Sequence, residues 1–272
     1  MFFTATPFLV SAHQPRIVEK NQITVLDPEI SKAYYAELTG KPQVYDIKSD
    51  KPFNLYVNLT VPDIQGQRTD FGYYIYKDGD FDQPFSQFYG GSFEWSKFWE
   101  KFGRDSYLEA ISYQSEVESG DYQIQVMNID NQGKYVLAVG EKENFDFKES
   151  MNAINLIPKI KRDFFNESPI NFILSPFGYG YILLIFILAF VFGFLFRLVM
   201  KKLFKNSSKG INKNINKKDR LLRAILAVLL LLWAITTTWN PVILFLSGFC
   251  LFETIFSWCG LYAVLSKNSC PI

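Results

Sequence analysis

FGYGYILLIFILAFVFGFLF, Phe177 to Phe196, is twenty residues without a charge. At ~1.5 Å of rise per residue, a helix of that length matches the ~30 Å hydrocarbon core of a bilayer. The alternative is a buried helix of a soluble protein. Two more apolar runs follow: AILAVLLLLWAITTTW (Ala224–Trp239) and PVILFLSGFCLFETIFSWC (Pro241–Cys259). They flank Trp239-Asn240-Pro241, a short turn signal, and together read as a helical hairpin in the membrane. Three spans are expected.

Charge supplies the orientation. The chain has 272 residues and a net charge of +1, but residues 13–170 carry 17 Lys+Arg against 25 Asp+Glu, and the rest carries 11 against 2. A net of −8 beside a net of +9 implies two environments. The basic excess sits among apolar runs, which is not how a nucleic-acid face is built, so no nucleic-acid partner is expected. Lys201–Arg223 holds nine Lys/Arg and one Asp, whereas the Trp239–Pro241 turn holds no charge. Lys and Arg collect on the cytoplasmic side. The loop and the C-terminal tail are therefore expected inside, and the acidic front half outside. MFFTATPFLVSA agrees with export, since its short apolar stretch ends in Val10-Ser11-Ala12, a small-residue cleavage pattern, although a basic n-region is missing.

The front half reads as strands. In FNLYVNLTV, Phe53, Leu55, Val57, Leu59 and Val61 face one way and the polar residues the other. Period-two alternation marks half-buried strands. It returns in Phe71, Tyr73 and Ile75 before an Asp78-Gly79 turn. In GDYQIQVMNIDNQGKYVLAVGE, Tyr122, Ile124 and Val126 are expected to form a hairpin with Tyr135, Leu137 and Val139. Several short strands separated by turns predict an antiparallel β-sandwich. The front half has no cysteine, so its stability must come from its core.

SGDYQIQVMNIDNQGKYVLAVGE (Ser119–Glu141) resembles the closing strands of bacterial pre-peptidase C-terminal domains, which are secreted jelly-roll-like sandwiches. Those are accessory binding modules, so the resemblance implies binding or spacing rather than catalysis.

Phe81–Tyr107 has ten aromatics in twenty-seven residues. Trp95, Phe98, Trp99 and Phe102 fall at i, i+3, i+4, i+7, one stripe of a helix. Trp95 and Trp99 are candidates for a ligand platform, because aromatic faces stack on sugars or other flat groups. The competing reading is a helix or loop whose stripe covers an open end of the sandwich. Asp78-Gly79-Asp80-Phe81-Asp82 spaces carboxylates as a calcium loop begins, but Gln83 and Tyr89 stand where an EF-hand needs Gly and Glu. His13 is the sole histidine, which excludes a Ser-His-Asp triad and a multi-histidine zinc site. No metal or other cofactor is expected. After the sandwich, Asp146 and Glu149 form a capping-box pattern, and Ala153, Leu156, Ile157, Ile160 and Phe164 make an apolar stripe that Pro158 should bend or interrupt. This linker is expected near the outer leaflet or under the sandwich.

NKKDRLLRAILAVLLLLWA, the hairpin, and then FSWCGLYAVLSKNSCPI resemble the two-helix transmembrane domain of YgaP-type inner-membrane proteins. The matching residues are Asp219-Arg220 and Arg223, Cys259 with Leu261-Tyr262, and Asn268-Ser269-Cys270. In that family the domain is often fused to a rhodanese sulfurtransferase. This chain has no rhodanese active-site loop, and has Cys259-Gly260 where Cys-Pro is common. Cys259 and Cys270 would face the reducing cytoplasm as thiols. Either they are small interfacial hydrophobes, or they bind a soft metal or sulfane sulfur, or they form a redox couple. LYAVL is expected as a short interfacial helix. Glu253 is the acidic residue within a span, and an intramembrane carboxylate is expensive unless partnered. Arg223, at similar depth in an antiparallel hairpin, is the expected partner; protonation, or contact with a second protomer, is the alternative.

The expected fold class is thus an exported, antiparallel, jelly-roll-like β-sandwich plus an α-helical transmembrane region of three spans. The expected segments are a signal peptide at 1–12, the sandwich at 13–145 and an amphipathic juxtamembrane linker at 146–176. They continue as a transmembrane helix at 177–200, a basic cytoplasmic loop at 201–219, and a YgaP-like hairpin with its tail at 220–272. The expected function is that of a non-enzymatic envelope protein of the plasma (inner) membrane, its sandwich a binding or interaction module. Its partners would be the bilayer, an envelope glycan or protein, and a second copy through the hairpin. Two alternatives stay open: thiol or sulfur handling by Cys259 and Cys270, and an envelope sensor.

Overall fold

The computed structural model describes residues 13–203, 213–265 and 267–269. The signal-peptide reading of 1–12, part of the basic loop, and Cys270 lie outside the described residues. The chain divides between Glu167 and Ser168 into two compact units.

The first unit is two packed sheets. One runs in the order β1 (Gln14–Ile17), β3 (Lys32–Thr39), β12 (Gln132–Val139), β5 (Phe53–Pro62), β9 (Asp105–Glu109) and β8 (Ser96–Glu100), and β10 (Tyr113–Val117) also pairs with β5. The other runs β2 (Gln22–Val25), β4 (Gln43–Ser49), β11 (Gly120–Met127), β6 (Gly72–Lys77) and β7 (Ser86–Tyr89). Alternation decides which side chains meet between them. Phe53, Leu55, Val57, Leu59 and Val61 of β5 are buried in one cluster with Phe71, Tyr73, Ile75, Tyr122, Ile124, Val126, Tyr135, Leu137 and Val139. Fully burying each such side chain stabilises by about 1.5–3 kcal/mol. The buried hydroxyls are paired: Tyr45 and Tyr135 lie 2.9 Å apart, and Tyr135 donates to Gln43 Oε1 at 2.8 Å.

Two sequence expectations are corrected here. Tyr122–Val126 and Tyr135–Val139 do not form a hairpin. β11 pairs with β4 and β6, whereas β12 pairs with β3 and β5, so the turn between them crosses from one sheet to the other. A hairpin and a crossover bury alternate residues alike, and the periodicity cannot tell them apart. Nor is the sandwich wholly antiparallel, because β1 runs parallel to β3 and β2 parallel to β4.

A third correction concerns the aromatic stretch, which is not helical. Ser96–Glu100 is strand β8, paired antiparallel with β9, and Phe98 lies opposite Tyr107. Glu100 closes the connecting turn by accepting the Phe102 and Gly103 N–H groups at 2.7 and 2.5 Å. Cross-strand pairing and this turn override the helical spacing.

The linker is a helix laid on the seven-stranded sheet. In α1 (Phe147–Lys159), Asp146 caps the Glu149 N–H at 2.7 Å. Pro158 has no N–H to give, and the hydrogen-bond register widens just beyond it: Ile160–Phe164 is a π-helical turn, with Phe165 N–H donating to Ile160 O at 3.1 Å. Ile160, Phe164 and Phe165 pack with Ala33, Tyr107 and Val136. One outer sheet face is thereby covered.

The second unit is helical: a 3-10 segment (Pro169–Leu174), α2 (Pro176–Leu203), α3 (Lys217–Thr236), α4 (Pro241–Phe256) and α5 (Gly260–Val264). Asn240 caps α4 by accepting the Val242 N–H at 2.8 Å, and Pro241 opens it. At Gly193 of α2 a Cβ would lie 2.6 Å from the Phe252 ring of α4, so only glycine permits that approach. Among the described residues, α2 alone is long and apolar enough to cross a membrane by length and composition. The sixteen-residue α4 is shorter, and α3 carries Lys217, Lys218, Asp219, Arg220 and Arg223 near its start. The short expected helix at Leu261–Leu265 appears as Gly260–Val264.

Candidate functional site

Polar groups converge where α4 ends. Ser257 takes a left-handed conformation (φ 53°) and turns the chain so that Cys259 and Gly260 come back over Glu253. Arg223 Nε donates to Glu253 Oε2 at 2.9 Å, and the Gly260 N–H donates to Glu253 Oε1 at 3.0 Å. Both carboxylate oxygens are thus engaged in a site where the Glu253 side chain is 8% exposed and that of Arg223 17%. The structure therefore brings Arg223 and Glu253 together.

It also brings Cys259 to the same guanidinium. Arg223 Nη2 donates to Cys259 Sγ at 3.0 Å, the Tyr262 N–H points at the sulfur from 3.5 Å, and the guanidinium lies over the Tyr262 ring. Asn214 was not singled out in the sequence. Its amide clamps Cys259 twice, accepting the Cys259 N–H at 2.7 Å and donating to Cys259 O at 2.9 Å. Asn214 O also accepts the Ser269 N–H at 3.0 Å, and the Ser269 hydroxyl bonds to Asp219. The residue before Cys270 is thereby docked beside the same cluster. Cys250, on α4, is a free thiol, as is Cys259.

Trp95 and Trp99 are not brought together on one face of a helix. Trp95 precedes β8, packs against the core and donates from Nε1 to Gly90 O at 3.1 Å. Trp99 is 50% exposed, with the Arg104 guanidinium 5.8 Å from its ring. Asp78 and Gly79 form a positive-φ turn, and Asp78 Oδ1 accepts the Asp121 N–H at 2.9 Å. The sole histidine, His13, has its Nδ1 engaged by Ser31.

Two further arrangements escaped the sequence reading. Lys161 of the π turn, fully buried, donates from Nζ to Asp105 Oδ1 at 2.7 Å, pinning the linker to β9. Burial pushes the Asp105 carboxyl up to about 6, against the opposing pull of the Lys161 ammonium. The other is the outer face of the five-stranded sheet, on which Tyr74 and Tyr76 stack at 6.2 Å and within 22° of parallel, with Phe81 5.3 Å from Tyr76. Across β11, β4 and β2 an amide row continues them. Gln125 donates to Gln123 at 2.7 Å, Gln123 to Asp46 at 2.9 Å, and Gln22 to Asp46 at 2.7 Å. Alternation around the buried Tyr73, Ile75, Ile124 and Val126 was the available signal for this face.

A two-sheet unit joined to a helical unit with an apolar helix long enough to span a bilayer is the organisation of a membrane-associated protein. Residues 211–272 match the family model of the inner membrane protein YgaP-like transmembrane domain, so the Arg223–Glu253–Cys259 cluster lies within the matched segment. A search of curated proteins gave no match. Among solved structures, the 1.0 Å crystal structure of the pre-peptidase C-terminal domain of collagenase from Bacillus anthracis is similar over 45% of this chain and 93% of that one, at 14% identity and a TM-score of 0.27.

Proposed function

We propose that the protein is a non-enzymatic, membrane-anchored envelope protein whose sandwich acts as a binding module on the outer side. The observation that carries this reading is an asymmetry of the first unit. The linker covers the outer face of the seven-stranded sheet, whereas the five-stranded sheet presents Tyr74, Tyr76 and a row of amides. Half-buried tyrosine rings that reach the surface beside hydrogen-bonding groups are suited to recognition. In this reading α2, α3 and α4 all span the bilayer, and the basic segment between α2 and α3 stays inside. Protease added to sealed right-side-out membranes tests it. The sandwich should be removed while the segment from α2 onward stays protected; full protection of the sandwich would refute the reading.

A second reading is favoured by the two N–H donors aimed at Cys259 Sγ, which suit negative charge developing on sulfur. Here Cys259 accepts a sulfane sulfur from a persulfide donor: its thiolate attacks the outer sulfur, the donor's S–S bond breaks, and the donor leaves as a thiolate. Mass spectrometry of the purified protein after incubation with a low-molecular-weight persulfide should then show one added sulfur on Cys259, absent in Arg223→Met. No adduct on Cys259 would remove this reading.

A further inference from the structure

We infer that the outer face of the five-stranded sheet binds a neutral oligosaccharide, laid across the strands on Tyr74 and Tyr76 and held by the amides beyond them. The inference rests on the sandwich being a binding module and names its ligand class.

The strand registers define the face. Tyr74 lies between Gln87 and Gln125, and Tyr76 lies beside Gln123, which in turn faces Asp46 and then Thr24. At ~4.8 Å between strands, the five strands offer a platform ~19 Å wide, long enough for a short sugar chain. At one end the half-buried Tyr74 and Tyr76 rings stack on each other, and Phe81 at 55% exposure and Tyr89 at 51% extend the aromatic surface beside them. At the other end are carboxamides. A pyranose ring has the matching pair of surfaces: a C–H face that stacks on an aromatic ring, and a rim of hydroxyls that both donate and accept. Carboxamides also do both.

Charge narrows the class. Asp46 is the carboxylate within the amide row, and both its oxygens already accept from Gln22 and Gln123. Lys48 and Asp121, at the edge of the face, pair with each other at 3.4 Å. The centre therefore offers no concentrated charge to an acidic polymer or a phosphate. A protein partner would favour an interface core with a larger apolar share than this amide row provides.

The test titrates the full chain, held in a detergent without a sugar headgroup. The probes are neutral tetrasaccharides of β-linked glucose, mannose, galactose and N-acetylglucosamine, with a tetra-uronic acid as the acidic control. At least one neutral tetramer should bind. Tyr74→Ala and Tyr76→Ala should each weaken it by about ten-fold or more, and Tyr76→Phe, which keeps the ring, should stay within about three-fold. Trp99→Ala should bind as the unaltered chain does, and an unchanged far-ultraviolet spectrum and melting temperature exclude misfolding. Binding of no neutral tetramer, binding of the uronic acid alone, or full binding by both alanine variants would each overturn the inference. None of these outcomes removes the binding module itself, which falls only if the sandwich proves to lie inside.

Discussion

Glu253→Ala is the perturbation from which the cluster at the end of α4 has most to lose. The carboxylate accepts one hydrogen bond from Arg223 and one from the Gly260 N–H, and little of either side chain reaches the surface. Removing one partner of a buried ion pair leaves the other charge uncompensated and costs about 3–5 kcal/mol. The orphaned Gly260 N–H would add about 1–3 kcal/mol were it independent, but both losses share one relaxed site. The expected loss is therefore about 4 kcal/mol. Glu253→Gln still accepts from Gly260 and should lose about 3 kcal/mol. Arg223→Met with Glu253→Met removes both charges together and should fall within about 1–2 kcal/mol of the unaltered protein. The charge-swapped double variant should recover part of the single-variant losses. Unfolding of the detergent-solubilised chain, followed by tryptophan fluorescence, reads the helical unit through its buried Trp239 and Trp258. A double variant no more stable than the sum of its singles would refute the coupling.

Trp95→Ala should destabilise the sandwich by about 3 kcal/mol, whereas Trp99→Ala should cost under about 1 kcal/mol in the same thermal melt. Asn214→Ala removes two hydrogen bonds to Cys259, so it should cost about 2 kcal/mol and speed labelling of Cys259 by a membrane-permeant maleimide. The Asp105 carboxyl, raised to about 6 when folded from ~3.9 when unfolded, gives the folded state the extra proton, so stability should fall by about 3 kcal/mol as pH rises from about 4 to about 6. Asp105→Asn should flatten that slope in denaturant titrations across the same pH range.

What the sequence made legible follows from the range of each signal. Period-two alternation identified β5, β6, β11 and β12 and their buried faces, because facing a core is a local property. It could not decide whether β11 and β12 share a sheet, because that depends on strands far away in sequence. Trp95, Phe98, Trp99 and Phe102 fit a helix by spacing, yet pairing with β9 made the segment a strand. Short apolar runs carry that ambiguity. The apolar length of Phe177–Phe196 was readable directly, and α2 encloses it. The pairing of Arg223 with Glu253 followed from depth in an antiparallel hairpin. Asn214 did not stand out, since its partners are backbone atoms forty-five residues away. The Lys161–Asp105 contact was hidden likewise, because it depends on where the linker lands on the seven-stranded sheet.

The proposed function requires the sandwich to lie on the outer side of the membrane. Gln87 lies exposed on edge strand β7, beside Tyr74, so Gln87→Cys places a thiol on the proposed binding face. A membrane-impermeant maleimide applied to intact cells, with the outer membrane permeabilised where there is one, should label that introduced thiol and leave the unaltered protein unlabelled until the cytoplasmic membrane is opened. Labelling of the native cysteines from outside, or protection of the introduced thiol in the Gln87→Cys variant, would contradict an outward-facing sandwich.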